Sequence, residues 1–259
     1  MKKLLCSSIL GAAVALPLTA GAQGAQAEPD YTLTANMTLA SEYLYRGIAQ
    51  TNNKPAIQGG FDFAHKSGLY LGNWNSNISW LTDGVDDRTA PIEMDFYGGY
   101  KFELGSGFAL DLGGLYYYYP MKGSEPDPSP NTFELYVGGS WGPLTLKYSH
   151  ALTDLFGFPD SKNSYYIDGT LNYPIADSGF AVLAHVGYQK IKTNATCGDG
   201  SSDYSYTDWK VGGTYGWGGG WSLGAYYSDT TAEKACWTGP VGGKNLGDGR
   251  VLVAIGRSF

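Results

Sequence analysis

The sequence predicts an all-β fold, a single 12-stranded antiparallel transmembrane β-barrel of the outer-membrane type. Three observations lead there. The last segment, Arg250 to Phe259, sets Val251, Val253 and Ile255 against Leu252, Ala254 and Gly256, and no turn or polar tail follows it. A final strand with no successor leaves a bare edge unless it pairs back onto the first strand and closes a barrel. Next, the connections between alternating segments are short and long by turns, in strict order. Short periplasmic turns and longer external loops give a transmembrane barrel that pattern, whereas a soluble sandwich has no reason to segregate loop lengths. Third, the chain is rich in glycine (38), tyrosine (21) and tryptophan (7) and lacks Leu-rich helical periodicity.

The chain opens on Lys2 and Lys3, an apolar run from Leu4 to Leu18, and Ala25-Gln26-Ala27 before Glu28. This is the pattern of a cleaved secretory signal over residues 1–27, with the barrel domain over 28–259. Of 17 Lys and Arg, removal of Lys2 and Lys3 leaves 15 against 24 Asp and Glu, a net charge of −9. Such a chain lacks the basic face a nucleic-acid partner requires. No later stretch is apolar enough for a spanning helix, but alternating strands show lipid only half their residues.

The strands follow in order. Tyr31 to Arg46 turns Leu33, Ala35, Met37, Leu39, Tyr43 and Tyr45 to lipid, and Thr34, Asn36, Thr38, Glu42 and Arg46 to a wet interior. Ile57, Phe61 and Phe63 oppose Gln58 and Asp62, and a strand from Tyr70 to Trp80 precedes a polar loop, Leu81 to Pro91. Met94, Phe96, Tyr100 and Phe102 oppose Glu93, Asp95 and Lys101; Phe108, Leu110, Leu112, Tyr116 and Tyr118 face away from Asp111. After the Pro-rich loop Pro120 to Pro130, Phe133, Leu135, Val137 and Trp141 oppose Glu134, and Leu144 and Leu146 oppose Lys147. Ile167 and Leu171 stand opposite Asp168, Val182 and Val186 opposite His185 and Gln189, and Trp209 and Val211 opposite Lys210. Trp221, Leu223 and Tyr227 precede the last long loop and the terminal strand. Aromatic clusters at Tyr116 to Tyr119, Tyr165-Tyr166, Trp217 and Trp221 fit interfacial girdles.

The first hairpin carries a resemblance. Ser41-x-Tyr43-x-x-Arg46-Gly47-x-x-Gln50-Thr51, Pro55-Ala56-x-Gln58-Gly59-Gly60-Phe61 and Gly68-x-Tyr70-x-Gly72-x-Trp74-x-Ser76-Asn77 resemble the TorF family of porin-like proteins. The resemblance implies an outer-membrane barrel with channel activity and names no substrate. The terminal Phe259 resembles the outer-membrane assembly signal of Gram-negative bacteria, although Arg257 stands where that signal usually has an apolar residue. Outer-membrane lipids, lipopolysaccharide, the barrel assembly machinery and small solutes are therefore the expected partners.

The candidate pore lining is Glu42, Arg46, Gln58, Asp62, Glu93, Asp95, Lys101, Asp111, Glu134, Lys147, Asp168, His185 and Lys210. Such side chains either fill a narrow barrel as a salt-bridged plug or line a small water path. Arg46 is the leading residue, a fixed cation near the first loop that acids hold across a constriction, or that pairs with Glu42 or Asp62 only to neutralise charge. An acid excess favours cations. Cys197 and Cys236 lie in consecutive long loops of an exported chain and are expected to form a disulfide. Ser149-His150 is no nucleophile and base, since strand neighbours point to opposite faces. The spacing of Asp83, Asp86 and Asp87 matches no calcium loop, and no cofactor motif is present.

Overall fold

Side chains that alternate in taste along a strand oblige the sheet to separate two environments, and closure lets it do so without an unpaired edge. The computed structural model, which describes residues 29–83, 89–123, 126–239 and 242–259, shows that solution. The strands are β1 (Tyr31–Ala40), β2 (Leu44–Tyr45), β3 (Ile48–Ala49), β4 (Ala56–His65), β5 (Leu69–Asn77), β6 (Ile92–Gly105) and β7 (Phe108–Tyr118). They continue with β8 (Thr132–Trp141), β9 (Leu144–Ala151), β10 (Tyr165–Pro174), β11 (Phe180–Lys190), β12 (Tyr206–Trp217), β13 (Trp221–Thr230) and β14 (Arg250–Ser258). Twelve of them form a closed antiparallel barrel, and β2 and β3 form a separate small pair. Closure is made by β14 on β1, in register from Asn36 opposite Ser258 to Ala40 opposite Ala254. The terminal strand thus pairs as its sequence demands.

The outer wall is apolar. Leu33, Ile57, Phe61, Leu146 and Val251 are each more than 60% exposed, while inward Glu93, Asp95 and Glu134 are 1–2% exposed. That inverts the ordinary soluble arrangement, in which exposed apolar residues are scattered and buried acids are rare. At the short-turn end, Trp217 stacks on Trp221 at 6.3 Å and Phe108 on Trp141 at 5.5 Å, and Arg257 lies over the Trp221 ring. The packed core lies inside the barrel near the long-loop end, around Tyr43, Trp74, Leu115, Tyr117 and Tyr119. A second cluster, including Leu155, Ile191, Cys197 and Tyr204, sits under the loops. Cys197 and Cys236 are joined, Cα–Cα 4.4 Å, and fasten two of those loops together.

Three expectations are corrected. The first strand leaves the wall after Ala40 and not at Arg46, and Tyr43, expected on the outer face, is buried inside. Period two along 41–46 cannot reveal this, because the chain bends inward at Ser41 and Glu42 while its apolar and polar residues go on alternating. The strand expected over Tyr70 to Trp80 runs from Leu69 to Asn77, and Ile78 and Trp80 pack under the loops instead. Of the girdle clusters, Tyr116 and Tyr118 face outward, but Tyr117, Tyr119 and Tyr166 point inward and are buried. Neighbours on a strand must divide between the faces. The signal segment, 1–27, and Asp86 and Asp87 lie outside the described residues.

Candidate functional site

The interior is crossed by the segment between β1 and β4. Its hairpin pairs Leu44 with Ala49 and Tyr45 with Ile48, so Arg46 and Gly47 form a two-residue tip. Both have positive φ, 48° and 80°, as a type I′ turn requires. Glycine is needed at the second place for space as well, because a Cβ there would run into Thr230 and Asp208 of the far wall. The root is anchored where Glu42 accepts from the Asn53 N–H at 2.6 Å and pairs with Arg250 at 3.1 Å. Further out, Lys54 reaches Asp83 at 2.8 Å, and the hydrogen bonds from Lys54 and Asn52 hold the Asp83 carboxyl below its ordinary range.

At the tip, the Arg46 guanidinium donates to Glu134 of β8 and to Gln189 of β11, each at 2.6 Å. It also lies over the Tyr166 ring of β10 at 4.3 Å and the Tyr45 ring at 4.8 Å. The hairpin therefore spans the lumen from the β1–β4 side to the opposite wall. Its flank is held by Tyr43, which donates to Glu93 at 2.6 Å, and by Tyr45, whose hydroxyl meets that of Tyr117 at 2.7 Å. Tyr119 donates to the other oxygen of Glu93. The expected partners of Arg46 are corrected: Glu42 pairs with Arg250, and Asp62 accepts from Tyr97.

Below the hairpin the wall is wetter. Gln58 donates to Ser76 at 3.3 Å, Asp111 accepts from Tyr70 at 2.6 Å, and Lys101 stands directly opposite Asp111 in the β6–β7 register. The Lys147 ammonium lies 3.9 Å from the centre of the Tyr136 ring, and Lys210 lies 5.4 Å from that of Tyr226. His185 sits among Asp168 at 3.8 Å, Asp208 at 3.1 Å, Tyr166 and Thr170. These lower groups are half-buried, whereas Glu93, Asp95, Glu134 and Asp208 beside the hairpin are sealed. All the nominated lining residues thus fall inside the barrel, but Glu42 and Arg46 do so from the inturned segment and not from the wall.

Sequence reasoning missed Arg250, Asp208 and the inward Tyr45, Tyr117, Tyr119 and Tyr166, whereas Tyr97 and Tyr136 lie on the inner face where alternation with Asp95 and Glu134 puts them. Tyr97 folds over Gly72 and Tyr136 over Gly113, where an added Cβ would strike the ring. Tyr166 lies against Gly187 in the same way, and a glycine beside an inward ring is the signal that could have shown it. Ser149 is buried and His150 bonds Tyr148 at 2.9 Å and Asn163 at 3.1 Å, so this pair does divide between the faces. Among the described residues no group of three His, Cys, Asp or Glu side chains is placed to hold a metal ion.

Residues 24–259 match the model of a family described as a bacterial protein of unknown function (Gcw_chp). No curated protein matches the sequence. Among solved structures, the fold is similar to a KdgM porin at 11% identity, covering 87% of this chain and 99% of that one, with a TM-score of 0.55. A NanC porin gives 13% identity, 88% and 99% coverage and a TM-score of 0.53. An outer membrane channel from Pseudomonas putida F1 gives 13%, 92% and 100%, and 0.50. At such identities the likeness is one of fold.

Proposed function

The chain belongs to the Gcw_chp family of bacterial proteins of unknown function, and from that premise we propose that it is an outer-membrane channel for passive diffusion of small solutes. The observation that carries the reading is the pairing of an apolar outer wall with a charged interior crossed by one tethered hairpin. Lipid is the solvent the outer wall calls for, and rings of charge around a constriction are how pores select. The porin and channel folds it resembles support the same use. The motif that resembles the TorF family coincides with the inturned hairpin and the two strands that follow it, Ser41 to Asn77.

The signal at 1–27 directs export, the strand ending at Phe259 is read by the barrel assembly machinery, and the long loops meet lipopolysaccharide outside. Acids around the passage, among them Asp62, Asp111, Asp168 and Asp208, exceed the lysines, so the channel prefers cations. Planar-bilayer recording of the folded protein tests this: discrete conductance steps and a cation-selective reversal potential in a salt gradient are expected, and an anion-selective potential removes the preference. The Arg46–Glu134 clamp favours one alternative, a plugged structural or adhesive barrel acting through its loops, and silence from well-folded protein would favour that plug over the pore.

A further inference from the structure

Above the hairpin, beneath the long loops, lies a cavity of about 190 Å3. It is smaller than the roughly 300–1,000 Å3 typical of drug-sized ligands. Its walls are the rings of Tyr45, Trp80, Tyr119, Phe156, Phe158 and Trp237. These meet edge to face: Trp80 with Tyr119 at 5.3 Å, Tyr45 with Phe156 at 5.3 Å and Phe158 with Trp237 at 5.9 Å. Rings set at steep angles to one another thus surround the space, and a ligand inside it is lined by aromatic groups on several sides.

Among the described residues lining the cavity, Glu93 alone carries charge. A tyrosine hydroxyl sits on each of its oxygens, Tyr43 on one and Tyr119 on the other, and hydrogen bonds of this kind favour the carboxylate form. Gln50 and Gln189 are neutral, and the nearby Arg46 charge is already matched by Glu134 at 2.6 Å. One further group is unused: the buried Nε1 of Trp80 meets no acceptor among the described residues.

Aromatic faces, one uncompensated carboxylate and a spare indole donor together fit one ligand chemistry. We infer that this vestibule binds a small alkylated ammonium cation carrying an oxygen, of the choline type, before it reaches the hairpin. Cation–π attraction holds the methylated head, Glu93 supplies the counter-charge, and Trp80 donates to the ligand oxygen. An anionic solute is repelled from the same cavity, and a metal ion lacks the oxygen ligands it needs.

The inference deepens the channel reading and rests on it only for the purpose of the site. Binding is measured at equilibrium on the full chain folded in detergent, by calorimetry and by intrinsic tryptophan fluorescence, to which Trp80 and Trp237 at the cavity contribute. Choline and tetramethylammonium are compared with 3,3-dimethylbutan-1-ol, the uncharged analogue of choline. Choline should bind about tenfold or more tightly than the neutral analogue, and Glu93→Gln should remove that advantage while leaving the analogue unchanged. Trp80→Ala, which keeps the charge, should weaken both cations, and choline more than tetramethylammonium. Equal binding of choline and its neutral analogue, or no binding of either cation, overturns the inference. Protein that binds choline but never conducts keeps it and removes the channel; protein that conducts without binding does the reverse.

Discussion

Replacing Arg46 with Met is the sharpest test of the hairpin's role, because it keeps much of the apolar stem and removes the charge and its donors. The Arg46 side chain is 8% exposed and its partner Glu134 only 2%. Breaking such a pair from one side leaves a buried carboxylate uncompensated, which costs about 3–5 kcal/mol. Even the lower end of that range is decisive here. About 3 kcal/mol shifts the balance between docked and released hairpin roughly a hundredfold toward release. Single-channel recording should then show larger or longer-lived openings, while heat-modifiable gel migration shows an intact barrel. Adding Glu134→Gln removes the stranded charge and should return much of the lost docking, as a double-mutant cycle would register. Folded Arg46→Met protein with the parent's conductance and the parent's melting temperature would refute the clamp.

Other outcomes follow from the same geometry. Gly47→Ala adds a side chain at a φ of 80° facing Asp208 and Thr230, so it should cost about 1 kcal/mol or more and open the channel in the same direction as Arg46→Met. Val186→Arg, on the outward face of β11, should destabilise the barrel in lipid vesicles by about 2–4 kcal/mol, read from the urea midpoint. A neutral result would place that face away from lipid. The Cys197–Cys236 link closes a separation of 39 residues, worth up to roughly 4 kcal/mol of chain entropy. Its reduction should expose 191–205 and 231–249 to protease without loss of heat-modifiable migration, and unchanged cleavage would count against a role in fastening the loops.

Strand period and loop order are local properties, so the barrel was legible in the residues themselves. Leu33, Phe61, Val186 and Val253 could be assigned outward, and Glu93, Asp95, Glu134 and Lys147 inward, because consecutive side chains in a strand have no choice but to alternate. Tyr43 and Tyr45 show where that reasoning stops. They continue the outward alternation of β1, yet they point into the lumen, because the segment carrying them has left the wall. Alternation specifies opposite faces but not what each face meets. That was decided by Glu93 and Tyr117 arriving from β6 and β7, by the space that Gly47 leaves against Asp208, and by Glu134, 88 residues away, arriving beside Arg46. Sequence alone determined a two-faced ribbon that must close; which charges meet across the closed tube depends on register and curvature, and only the folded chain sets those.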